Sequence, residues 1–75
     1  MHPATEALLD FFEYEHLPNP AMRAISKRFH DLAHGLANDG DLQARGAELT
    51  TALRKLLEAK DCAVRAALPP AHSHI

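Results

Sequence analysis

The sequence predicts an all-α protein in which a short N-terminal helix precedes a long antiparallel helical hairpin, assembled as a homo-oligomer. Two long segments carry apolar residues at helical spacing, and proline-containing breaks at Pro18-Asn19-Pro20 and Pro69-Pro70 bound them. The chain has 75 residues, enough for one domain but too few to bury a large core alone. Its single cysteine, Cys62, excludes an internal disulfide, so self-association is the remaining source of extra burial.

The first helix is expected from about Thr5 to His16, with Thr5 as N-cap, Glu6 favourable to the helix dipole, and Leu8, Leu9, Phe11, Phe12 and Leu17 as its apolar residues. Pro18-Asn19-Pro20 stops it, because proline disfavours helical geometry in the residue before it. Asn19 is then a preferred N-cap, and Pro20 suits the first position of a second helix running to Ala37. Met22, Ile25, Phe29, Leu32 and Leu36 recur at alternating spacings, giving a narrow seam of coiled-coil type. Asn38 to Arg45 forms the one long connection. A third helix is expected from Gly46 or Ala47 to about Leu68, with large residues at Leu49, Leu53, Leu56, Leu57 and Val64. Its alanines, Ala52, Ala59, Ala63, Ala66 and Ala67, permit close helix approach. Residues 1–68 thus read as a single hairpin domain and residues 69–75 as a flexible tail. Helices of about 18 and 22 residues would be about 27 and 33 Å long. One short helix covers only part of their apolar surface, which is the physical reason for expecting an oligomer.

The formal net charge of −2 argues against polymeric nucleic acid as a partner. The N-terminal residues lack the basic and apolar regions of a signal peptide, no segment reaches transmembrane length, and a lone cysteine fits a reducing cytoplasm. No membrane association is expected. No Gly-rich phosphate loop or paired catalytic carboxylates emerge, so neither an enzyme nor a cofactor is expected.

One pattern does carry chemistry. Arg23, Lys27, His30 and His34 form a cationic-to-titratable stripe on the shoulder of the second helix's apolar seam. By itself such a stripe is either a solvated flank or a wall that cradles a ligand. Tyr14 lies just before the proline break, and three of the four aromatic residues fall within residues 11–14. Tyr14 alone reads as a half-buried packing residue. Beside cationic groups, it offers a ring for a base while the cations meet phosphate. His30 and His34 have the spacing of a metal pair, but Asp31-Leu32-Ala33 between them supplies no HExxH glutamate and no third ligand is placed, so no metal is expected. His72 and His74 read as incidental. Cys62 reads as a small packing residue, and Arg54, Asp61 and Arg65 as surface or subunit-contact charges.

Three segments carry a resemblance. They are Tyr14-Glu15-His16-Leu17-Pro18, Phe29-His30-Asp31-Leu32-Ala33 and Ala52-Leu53-Arg54-Lys55-Leu56-Leu57-Glu58-Ala59-Lys60-Asp61. In order and spacing they resemble the hairpin domain of the phage anti-CBASS cyclic-nucleotide sponges, which is shared with anti-Thoeris sponges. The similarity spans about residues 12 to 68. It implies a homohexamer in the cytoplasm of a bacterial host that binds cyclic dinucleotides between protomers, in some members cyclic trinucleotides as well, and does not cleave them. It also implies that Tyr14 stacks on a base. His30, following Phe29, occupies the position where many relatives carry lysine or arginine. An imidazole with an ordinary pKa of about 6.5 is mostly neutral at pH 7, so Lys27, with Arg23 and His34 nearby, is expected to supply charge.

Overall fold

A computed structural model describes residues 2–68. The expected tail, with His72 and His74, lies outside these residues. The described residues are all helical, with no strand: α1 (Pro3–Leu9), a 3-10 turn (Asp10–Phe12), α2 (Pro20–Ala37), α3 (Gly40–Gln43) and α4 (Gly46–Ala66). The long α2 and α4 pack in a hairpin-like arrangement, and α1 lies across one side of the pair. No helix among the described residues is long and apolar enough to cross a membrane.

The start of α2 follows its sequence signal. Asn19 Oδ1 accepts from the Ala21 and Met22 amides at 2.8 and 3.2 Å, and Pro20 occupies the first turn, where a missing N–H leaves nothing unsatisfied. Helix α4 begins at Gly46 as expected and ends at Ala66, two residues short of the expected Leu68. The Asn38–Arg45 connection contains α3, because Asp39 Oδ1 caps the Asp41 and Leu42 amides at 2.9 and 3.2 Å.

The first helix departs from expectation at both ends. It starts at Pro3 with His2 as N-cap, whose Nδ1 accepts from the Ala4 amide at 3.0 Å. Thr5 is not a cap; it is buried, with its hydroxyl 3.4 Å from that of Thr50 on α4. Pro3 at the first helical position is the signal that outweighs Thr5. At the other end the helix tightens into the 3-10 turn and stops at Phe12 instead of His16. Asp10, Glu13 and Glu15 crowd this end, where acids oppose the helix dipole, and no basic residue occupies the last turn of α1. Lys60 of α4 instead donates to the Phe11 carbonyl at 2.8 Å.

The core comprises Leu9, Phe12, Ala33, Ala37, Leu49 and Leu53, with Leu8, Phe29, Leu36, Leu56 and Leu57 packed against it. The expected seam of α2 is therefore rotated. Its fully buried side chains are Ser26, Ala33 and Ala37, whereas Leu32 of the seam is 50% exposed. Small residues face inward because they let α4 and Phe12 approach the helix closely.

Phe12 fills the junction of α1, α2 and α4 and is fully buried, while its neighbour Phe11 is 62% exposed. Phe12→Ala is expected to cost about 3–5 kcal/mol of stability and Phe11→Ala less than about 0.5 kcal/mol. Urea denaturation followed by circular dichroism measures both, and equal costs would contradict this packing.

Candidate functional site

The site forms where the segment after the 3-10 turn crosses α2. Glu13 adopts an extended conformation that turns the chain out of the helix. The Leu17 amide then donates to the Tyr14 carbonyl at 3.1 Å, closing a turn. Arg23 of α2 fixes this turn from below: its Nη1 donates to the Leu17 carbonyl at 2.6 Å and to the Pro18 carbonyl at 3.0 Å. The proline break thus receives a charged donor for two carbonyls that no helix satisfies.

Tyr14 is held half-buried against α2. Its ring meets His30 edge to face, with centroids 5.0 Å apart and planes at 69°. His30 in turn lies against His34, centroids 4.2 Å apart. Lys27 Nζ is 5.9 Å from the Tyr14 ring centroid, within range of a cation–π attraction. Four of the five residues singled out by sequence, Tyr14, Lys27, His30 and His34, therefore form one cluster. The fifth, Arg23, is beside it with its guanidinium committed to backbone carbonyls. His34 Nε2 is buried without a hydrogen-bond partner among the described residues, so His34 backs His30 instead of facing solvent through that atom.

Asp31 completes the cluster. Its carboxylate accepts from Lys27 Nζ at 2.7 Å and lies 3.1 Å from His30 Nδ1. With a proton on Nδ1, His30 donates to Asp31, and its neutral form then offers Nε2 as an acceptor. The wall is consequently less cationic than the stripe suggests: one ammonium, one carboxylate and two imidazoles. The ordinary i,i+4 pairing of Lys27 with Asp31 is legible in the sequence, but attention to the cations alone passes over it.

The pairing acts on both groups. The hydrogen bond to Asp31, and then its charge, holds the Lys27 ammonium above the usual lysine range. Hydrogen bonds from Lys27 first and His30 second hold the Asp31 carboxyl below the usual aspartate range. Asp31 thus favours the fold above the aspartate range, and that contribution fades as pH falls through its lowered native value. Lys27 favours the fold below the lysine range and loses its contribution as pH rises through its raised native value. Both side chains are more than half exposed, so water screens the pair and a ligand can displace it.

No group of three or more metal-ligating side chains occurs among the described residues. No protein-family model matches this chain, and neither a curated protein nor a solved structure does.

An NMR titration of the carboxyl carbons checks the electrostatics. Asp31 is expected to titrate below the ordinary aspartate range, and Lys27→Met is expected to raise its midpoint. A midpoint indifferent to Lys27→Met would show that the pair does not form in solution.

Proposed function

We propose that this protein is a non-catalytic sponge that sequesters cyclic oligonucleotide second messengers, cyclic dinucleotides first and cyclic trinucleotides as a further class, and so blocks bacterial anti-phage signalling. The observation that carries this reading is the Tyr14–His30–Lys27 cluster: a half-buried aromatic ring 5.0 Å from an imidazole and 5.9 Å from an ammonium. These are the elements a nucleotide requires; Tyr14 and His30 fall on segments that resemble the sponge family, and Lys27 lies two residues before the second of those segments.

In this reading Tyr14 stacks on a base and Lys27 exchanges Asp31 for a phosphate oxygen. His30 Nε2 and the released Asp31 carboxylate accept hydrogen bonds from ribose hydroxyls or base N–H groups. Arg23 and His34 act as positioning residues, the first by fixing the turn that carries Tyr14 and the second by supporting His30. A homohexamer presents such walls in two-fold pairs, matching a ligand with two bases and two phosphates. Sequestration is stoichiometric, so it depends on tight binding and abundance, with no turnover.

A second reading, a helical oligomeric interaction protein without a nucleotide ligand, draws on the exposed apolar residues Leu32, Leu42 and Leu68. It predicts that Tyr14→Ala leaves function intact.

Isothermal titration calorimetry with cyclic di-GMP, cyclic GMP–AMP and cyclic tri-AMP separates the two. Tyr14→Ala is expected to weaken binding by about tenfold or more, since stacking on an aromatic ring contributes about 1–3 kcal/mol per base. Lys27→Ala is expected to weaken binding. Asp31→Asn is expected to strengthen it, because the charge that competes with phosphate for Lys27 is removed while the amide oxygen still accepts from a ribose hydroxyl or base N–H. Folded, assembled protein that binds none of the three would sink the proposal.

A further inference from the structure

Helices α2 and α4 form a groove on each side of their contact, and α1 fills only one of them. Two shallow hollows lie along the other. The first, of about 310 Å³, is lined by Ile25, Arg28, Phe29, Leu32 and Ala63. The second, of about 290 Å³, includes Leu36, Leu42, Leu49 and Ala52, with Asp41, Arg45 and Glu48 at its rim. No residue of α1 lines either hollow. Leu32 and Leu36 are one turn apart on α2, so the two hollows, which share no lining residue, follow one another along the same flank of that helix. Leu32 is 50% and Leu42 39% exposed along this groove.

We propose that this groove is covered by the same groove of a second copy, the two hairpins running in opposite directions about a two-fold axis across the groove near Leu32 and Leu36. The proposal rests on the homo-oligomer of the preceding section and supplies the contact that builds it. Two features of the groove select this occupant and this orientation.

The first feature is charge. The Ile25–Phe29 end has Arg28 as its charged lining residue, whereas the opposite end carries two acids, Asp41 and Glu48, against one base, Arg45. Opposed hairpins bring each Arg28 over the acidic end of the other copy, twice per dimer. The parallel alternative sets Arg28 against Arg28 and the acidic ends against each other. The second feature is position. Leu32 and Leu36 lie between Arg28 and Asp41 in the chain, so opposed copies that pair their charged ends also bring their apolar middles together.

Sedimentation velocity over a concentration series tests the pairing. Leu32→Asp places a charge in the middle of the groove at an exposed position and is expected to abolish this contact, lowering the number of subunits per particle. Arg28→Glu, and separately Asp41→Arg with Glu48→Arg, are expected to weaken self-association by about tenfold or more. Mixing these two charge variants one to one is expected to restore it, because each contact is again between opposite charges. The charge variants lie on the exposed surface and carry the test should Leu32→Asp fail to fold by circular dichroism. Leu32→Asp protein that is folded yet keeps its full subunit number overturns the interface. So does Arg28→Glu with undiminished association, or a mixture no better than either component. Cyclic nucleotide affinity is not read in this experiment, so the interface can fail while the ligand proposal stands.

Discussion

The close contact between α2 and α4 fixes everything else in this molecule. It is made through small residues, Ser26, Ala33 and Ala37, against Leu49 and Leu53, with Phe12 closing the junction. Turning Ala33 inward sets the rotation of the whole of α2. At about 100° per residue, Ile25, Phe29, Leu32 and Leu36 then fall about 40–100° to one side of Ala33. Arg23, Lys27, His30 and His34 fall about 60–120° to the other. One rotation thus gives the protein an apolar flank and a polar flank on the same helix. Tyr14 joins the polar flank because the chain crosses there between the 3-10 turn and Pro20.

The two flanks have different physical uses. The apolar flank leaves Leu32 half exposed and is the surface on which the proposed self-association rests. The polar flank is preorganised in a different way: Arg23 holds the turn carrying Tyr14, His34 supports His30, and Asp31 holds both Lys27 and the Nδ1 side of His30. Under the proposed function, the groups that would meet a nucleotide are a tyrosine face, one ammonium, one imidazole nitrogen and a carboxylate. That mixture would be more discriminating than a simple cationic patch, since it would ask for phosphate, an aromatic base and hydrogen-bond donors together.

Much of this was legible in the sequence, and what escaped has physical causes. Asn19-Pro20 announces the start of α2 because capping and the proline's fixed φ are local effects. The Gly46 start of α4 follows from composition and periodicity, and its end at Ala66 comes two residues before the expected Leu68. The inward face of α2 differs from the apolar seam because periodicity gives weight to large side chains, whereas closeness of approach is decided by small ones such as Ser26 and Ala33. Thr5 has the chemistry of a cap, and only its pairing with Thr50, 45 residues away, reveals it as an interior residue. In the site, the stripe and Tyr14 were visible as a pattern. The commitment of Arg23 to the Leu17 and Pro18 carbonyls depends on the path of the turn, which no spacing rule supplies.

The most direct measurement is a crystal structure of the protein bound to cyclic GMP–AMP. This account predicts a base stacked on Tyr14, a phosphate oxygen at Lys27 with the Lys27–Asp31 pair opened, and His30 within hydrogen-bond distance of the ligand. A ligand held elsewhere on the protein, with Tyr14 against His30 and Lys27 against Asp31 as they stand here, would contradict it.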